Sequence, residues 1–310
     1  VCNGAATAGV TFTGAVVGTT FNWTNDTPSI GLAASGTGNI AAFTGVNAGA
    51  VPVTATITVT PVIPVFGCTG TAQTFTITVN PTPTLTDPAD QVVCNGANTA
   101  AVTFVGTAGA TFNWTNDTPG IGLAAAGSGN IGAVAAVDAG PTPVVATITV
   151  TPQTAGPVCV GTPQVFTITV NPTPTVTDPS DQTVCNGAMT GAVNFSGTGT
   201  AYNWTNNTPS IGLAASGTGN IAAFAATNAG ATVVIATVTV TPEYTFGGTT
   251  CLGTPQVFTI TVNPTPDVAD PADQTVCNGS NTTAINFTGA VAGTTFNWTN
   301  DNTGVGLAAV

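Results

Sequence analysis

The tetrapeptide Val-Cys-Asn-Gly occurs four times, at Val1–Gly4, Val93–Gly96, Val184–Gly187 and Val276–Gly279. Its cysteines lie 94−2=92, 185−94=91 and 277−185=92 residues apart. Solenoid units of about 20–50 residues cannot bury a core alone. A unit of about 91 residues approaches the size of a small self-standing domain. The spacing therefore predicts a string of beads. Residues 1–80 form a bead lacking its first strand, 81–171 and 172–263 form complete beads, and 264–310 form a truncated one. The whole reads as a window from a longer array.

The second bead shows how such a unit folds. Pro81-Thr82-Pro83 follows Asn80, and the same Asn-Pro-Thr-Pro recurs at Asn171–Pro174 and Asn263–Pro266. Two prolines in three residues remove backbone donors and fix φ, which predicts a short, stiff hinge. Thr84–Val93 then reads as a first strand, bent at Asp87-Pro88-Ala89-Asp90. Val102 and Phe104 mark the next strand, Phe112 and Trp114 the one after, and Ile121 and Leu123 follow a turn at Asn116–Pro119. Ile131–Val137, Val144–Val150 and Val165–Val170 complete the set. In the last two, Ala146, Ile148, Val150, Phe166, Ile168 and Val170 alternate with threonine or another outward residue. Such period-two alternation marks half-buried antiparallel strands. About seven short strands punctuated by Gly, Pro and Asn indicate a β-sandwich. No segment carries a 3.6-residue apolar stripe.

The interval from the first cysteine to the tryptophan varies: 23−2=21, 114−94=20, 204−185=19 and 298−277=21. Length changes belong in surface loops, so they are assigned to Gly14–Thr20, Gly106–Thr111 and Gly197–Ala201, between the second and third strands.

Composition narrows the chemistry. An ordinary domain draws about a quarter of its residues from Asp, Glu, Lys and Arg. Here there is no Lys, Arg or His, and 12 acidic residues give a net charge of −12. A phosphate clamp, Schiff base, imidazole base or arginine finger is excluded. The charge also disfavours nucleic acid and anionic membrane. Hydrophobic residues make up 43% of the chain, enough for a core in each bead. No apolar run reaches the roughly 20 residues of a membrane span. A carboxylate pair is the remaining acid/base option, but the acidic residues recur at hinges and turns instead of converging. No enzyme activity is expected.

The cysteines point to an oxidising compartment. Each bead holds two at a constant separation: 68−2=66, 159−94=65 and 251−185=66. That constancy predicts one disulfide within each bead, Cys2–Cys68, Cys94–Cys159 and Cys185–Cys251, stapling an edge or loop. The rival is a bond across the linker, Cys68–Cys94. The motif Asp-Pro-(Ala/Ser)-Asp follows each hinge, with Asp87 and Asp90, Asp178 and Asp181, and Asp270 and Asp273. Two carboxylates with backbone carbonyls at an interdomain linker suit Ca²⁺, which takes six to eight oxygens; the alternative is that each Asp caps a turn. Trp23, Trp114, Trp204 and Trp298 follow an aromatic-Asn pair. They read as core residues, with a sugar-stacking platform for surface glycans as the alternative. The Asn-x-Thr sites at Asn22 and Asn25 match a glycosylation pattern that arises by chance in an Asn/Thr-rich chain. The Gly-rich run Ile30–Ile40 carries no Lys and no helix, so it reads as turns and not as a phosphate loop.

Together, the segments around V-C-N-G, F-N-W-T-N-D-T-P, A-T-I-T-V-T-P and F-T-I-T-V-N-P-T-P resemble the PKD-like, immunoglobulin-like repeats of giant Bacteroidota surface proteins. The resemblance covers essentially the whole chain. It implies an all-β tandem array of β-sandwich domains, extracellular at the cell surface. It also implies secretion through the type IX system; gliding-motility adhesins of the SprB kind are one class built this way. The resemblance supplies no catalytic residue. The implied role is a structural stalk or filament of an adhesin, whose partners are neighbouring repeats. A weak multivalent glycan-binding module and a laterally self-assembling filament are the alternatives.

Overall fold

The computed structural model of the chain describes residues Val1–Ala308. It divides into two compact units, Val1–Asn171 and Pro172–Val310, each treated by itself below.

The first unit holds two sheets. The first repeat contributes β1 (Thr20–Asn25), β2 (Ser35–Thr37), β3 (Val53–Ile63), β4 (Cys68–Thr69) and β5 (Gln73–Val79). The second contributes β6 (Gln91–Cys94), β7 (Thr111–Asn116), β8 (Ala126–Ser128), β9 (Val144–Gln153) and β10 (Gln164–Asn171). Their orders are β2-β1-β3-β4, with β5 also on β3, and β6-β10-β9-β7-β8. The second unit repeats the plan with β11 (Gln182–Cys185), β12 (Ala201–Asn206), β13 (Ser216–Thr218), β14 (Val234–Phe246), β15 (Thr249–Leu252) and β16 (Gln256–Asn263). Here the order is β11-β16-β14-β12-β13, with β15 on β14. Beyond Asn263 the described residues form no strand and one 3-10 turn, Thr303–Val305.

A second layer faces each sheet. In the second repeat it consists of extended segments joined by antiparallel bridges: Leu85 to Gly106, Asn98 to Ala135 and Val102 to Ile131. Between the layers lie Ala146, Ile148 and Val150 of β9 and Phe166, Ile168 and Val170 of β10, all at most 1% exposed. These are the inward residues expected from the alternation. Fully burying each large aliphatic or aromatic side chain contributes about 1.5–3 kcal/mol. Val102, Phe104, Ile121, Leu123 and Ile131 close the core from the facing layer. The repeats form an all-β array of β-sandwiches.

The bend in the first strand serves this topology. Thr84–Thr86 pairs with the facing layer, with Thr86 N–H donating to Val105 C=O at 2.7 Å. After Pro88 the chain crosses to the other sheet, where β6 runs parallel to β10 with Cys94 opposite Asn171. Asp90 fixes the landing: its Oδ1 accepts from Thr167 N at 2.6 Å, and Asp181 does the same for Thr259 N. The edge strands β6 and β8 have four and three residues. Such short edges offer little template for strand addition.

Candidate functional site: the junction between repeats

The Val-Cys-Asn-Gly motif stands at the end of β6 in the second repeat and of β11 in the third. In the first repeat Cys2 bridges in parallel to Asn80, the last residue before the linker. Asn3 N–H donates to Asn80 C=O at 2.8 Å, and Asn80 N–H donates to Val1 C=O at 2.8 Å. Gly4, at φ 78°, makes the left-handed turn away from the strand and donates to Gly45 C=O; a side chain there would be strained.

Asn3 is the pivot. Its Oδ1 accepts from Asn47 N at 2.9 Å, inside its own repeat. Its Nδ2 donates to the hydroxyl of linker residue Thr82 at 3.2 Å. Asn186 repeats both contacts in the second unit, with Asn228 N and with Thr265 Oγ1. The linker is thus held by hydrogen bonds from the motif.

The other side of the junction is the hairpin before β10. Gly161 N–H donates to Pro152 C=O at 2.9 Å. Pro83 C=O lies so close that a Cβ on Gly161 would come within 1.9 Å of it. Only glycine admits the linker there. Pro81 and Pro83 are both buried. The hinge read from sequence is a packed element.

A disulfide closes this junction. Cys2 of the first repeat bonds Cys159 of the second, with Cα atoms 5.5 Å apart. Cys94 and Cys251 are also in disulfide linkage, and Cys68, Cys185 and Cys277 are exposed free thiols. The within-repeat bonds Cys2–Cys68, Cys94–Cys159 and Cys185–Cys251 are therefore corrected, as is the rival Cys68–Cys94. The reason is the parallel pairing. Cys94 sits beside Asn171, at the far end of β10, whereas Cys159 precedes the start of that strand at Gln164. Seven steps along a strand at about 3.3 Å each span roughly 23 Å. A disulfide needs Cα atoms about 4.4–6.8 Å apart. The two cysteines of the second repeat lie at opposite poles, and Cys159 faces the first repeat.

The remaining sequence-predicted residues lie elsewhere. Asp87–Asp90 falls at the strand bend on the flank of its repeat, off the linker, with Asp90 engaged by Thr167 as described. Among the described residues no group of three or more His, Cys, Asp or Glu comes together. Trp23, Trp114 and Trp204 are core residues, 7%, 8% and 7% exposed. Trp114 stacks on Gly127, and its Nε1 donates to Gly129 C=O at 3.2 Å. The partner rings Phe104 and Phe112 lie 5.7 Å apart, centroid to centroid. No indole face of these three is open to a sugar. Trp298 is half-buried.

Two turn networks had no separate reading in the sequence. Asn25, Asn116 and Asn206 are buried. Each donates Nδ2 to a leucine carbonyl seven residues on and accepts the amide of Thr27, Thr118 or Thr208. Asp26 and Asp117 accept from the N–H of Thr56 and Thr147 at 2.8 Å. Those backbone N–H groups, and next the hydroxyls of Thr27 and Thr118, hold both carboxyls below the ordinary value. The third repeat has Asn207 in this place, accepting from Thr237 N.

A groove in the second unit is lined by Thr232, Asn263, Pro264, Pro266 and Thr294 among others, and no titratable group borders it. Among the described residues no helix is long and apolar enough to cross a membrane.

No curated protein matches the chain. Among solved structures, mouse cadherin-23 repeats EC22–24 align with 13% identity over 86% of this chain and 95% of that one, at a TM-score of 0.36. The Sidekick-1 immunoglobulin domains 1–5 align with 13% identity over 80% of this chain and 53% of that one, at 0.31. The human desmocollin-1 ectodomain aligns with 11% identity over 84% and 57%, at 0.28. Residues 1–83, the first repeat with its linker, match the protein family described as PKD-like domain.

Proposed function

We propose that this chain is a structural segment of an extracellular stalk or filament, built to hold successive sandwiches in line. The observation that carries this reading is the bond from Cys2 to Cys159, which joins two repeats instead of bracing one. A linker clamped by Asn3 and Gly161 supports it. Disulfides persist outside the reducing cytosol. The lack of Lys and Arg leaves trypsin-like proteases no cleavage site and rules out Lys–Asn crosslinks, so disulfides are the available covalent reinforcement. The resemblance to Bacteroidota surface repeats extends the reading to a type IX-secreted, SprB-like adhesin. The buried indoles speak against a glycan platform.

Immunogold electron microscopy of producing cells, with an antibody against the second repeat, tests this. Label along thin strands projecting from the surface is the expected result. Label confined to the cytoplasm would overturn it. Thick ordered bundles would transfer the function to lateral self-assembly.

A further inference from the structure

We propose that Asn278 is a site of spontaneous deamidation in the folded chain, and that the fold silences the same chemistry at Asn3, Asn95 and Asn186. Asn-Gly occurs at four places, each time inside Val-Cys-Asn-Gly. Glycine has no Cβ to shield its backbone nitrogen, so this pair cyclises more readily than other asparagine pairs. The glycine nitrogen attacks the asparagine Cγ, and a C–N bond forms as the side-chain nitrogen leaves. The proton of the glycine N–H departs with it, as ammonia. Water then opens the succinimide at either carbonyl, giving aspartate or isoaspartate. Only water is consumed.

The four pairs share one local turn. Gly4, Gly96, Gly187 and Gly279 have φ of 78°, 80°, 81° and 82°. The next residue, Ala5, Ala97, Ala188 or Ser280, donates its N–H back to the cysteine carbonyl at 2.9–3.0 Å. Local backbone geometry therefore does not distinguish them. Their surroundings do. Gly4 N–H donates to Gly45 C=O at 2.8 Å, Gly96 N–H to Ala136 C=O at 2.7 Å, and Gly187 N–H to Ala226 C=O at 2.7 Å. The asparagines are held as well. Asn3, Asn95 and Asn186 accept through Oδ1 from the backbone N–H of Asn47, Asp138 and Asn228 at 2.8–2.9 Å. In these three the nucleophile is engaged and the side chain is fixed. Among the described residues no hydrogen bond involves the Gly279 N–H or the Asn278 side chain, and both residues are exposed.

Two hydrogen bonds must open together before a locked pair can react. At ordinary net strengths this slows the reaction roughly 5- to 150-fold. The lock also ties the chemistry to the linkers, because Asn3 and Asn186 hold Thr82 and Thr265 through Nδ2. Deamidation removes that nitrogen. A repeat whose lock has opened thus keeps a permanent record of it, as one added negative charge and one lost donor. The assignment stands apart from the stalk reading, because the locks lie within single repeats.

The test is incubation of the intact 310-residue chain at neutral pH, followed by reduction and cleavage at aspartate and glutamate. The four pairs then fall on separate peptides, 1–26, 91–117, 182–243 and 274–301. Mass spectrometry of these peptides should show deamidation of 274–301 roughly 5- to 150-fold faster than of the other three. In a parallel sample unfolded in guanidinium with its disulfides reduced, all four should react at similar rates. Asn278→Gln should abolish the signal in 274–301 of the folded chain. Equal rates in the folded chain, a faster rate at Asn3, Asn95 or Asn186, or a difference that survives unfolding would overturn the assignment. So would a signal in 274–301 that persists in Asn278→Gln.

Discussion

Asp138 breaks a pattern kept by the other two complete networks of its kind. In the first repeat Asn47 is buried; its Oδ1 accepts from Gly49 N, and its Nδ2 donates to Val51 C=O and Val79 C=O, both at 2.8 Å. In the third, Asn228 accepts from Gly230 N and donates to Thr232 C=O and Val262 C=O, again at 2.8 Å. In the second repeat the position is Asp138, 4% exposed, whose Oδ1 accepts from Gly140 N at 2.8 Å. Its Oδ2 takes the place of the amide nitrogen and is buried with no hydrogen-bond partner. The facing carbonyls, by equivalence those of Thr142 and Val170, lose the donor that their counterparts receive.

Asp138→Asn should restore two hydrogen bonds at about 0.5–1.5 kcal/mol each and relieve an unsatisfied buried oxygen worth about 1–3 kcal/mol. The sum is a gain of about 2–6 kcal/mol for the second repeat. Hydrogen exchange in the full chain reads it locally. Amides of β9 and β10 should exchange roughly 30- to 20,000-fold more slowly, at about 1.4 kcal/mol per decade. The exchange of β14 and β16 should stay unchanged. The reverse change, Asn228→Asp, should speed exchange in the third repeat by a similar factor. Unchanged or faster exchange of β9 and β10 in Asp138→Asn would refute the reasoning.

Gly161→Ala should disrupt the junction, because its Cβ would meet Pro83 O at 1.9 Å; overpacking of this kind costs about 1–3 kcal/mol. The check is the yield of the Cys2–Cys159 bond on oxidative refolding, which should fall. Asp26 and Asp117 have carboxyls held below the ordinary 3.8 by backbone N–H groups. Their contribution is present above that value and is lost as pH falls through the lower folded value. Protection of β3 and β9, measured against β14 in one sample, should therefore decline below about pH 4. Asn207 spares the third repeat, and Asp117→Asn should remove the decline in β9. Because Asp90 and Asp181 are spent on Thr167 and Thr259, chelation with EDTA should leave the melting curve unchanged. A fall that Ca²⁺ reverses would instead support a cation site at Asp87 and Asp90.

Strand content was readable because alternation is a local signal. The inward sets of β9 and β10 follow from reading every second residue of Val144–Val150 and Val165–Val170, and the buried Trp114 follows from its place on a strand. The Asp-Pro bend was visible too, since proline cannot donate to a ladder. What stayed hidden depends on which strands pair. The parallel match of Cys94 with Asn171 places the two cysteines of a repeat at opposite poles, and nothing in the residues between them announces it. Constant spacing suggested a bond within a repeat, yet the bond that forms joins Cys2 to Cys159 across a separation of 157. The role of Asn3 was obscured for the same reason. An Asn-Gly pair reads as a turn until the linker is known to pass beside it. The 3-10 turn Pro119–Ile121 and the short strand β8 are too brief for periodicity to register.

The central claim is that the disulfide fixes one repeat against the next. Residual dipolar couplings measured for the first two repeats of the intact chain test it directly. The account predicts one shared alignment tensor for both repeats in the oxidised protein, and tensors of different magnitude once the Cys2–Cys159 bond is reduced and alkylated. The same shared tensor in both states would contradict it, since the junction would then hold its geometry without the bond.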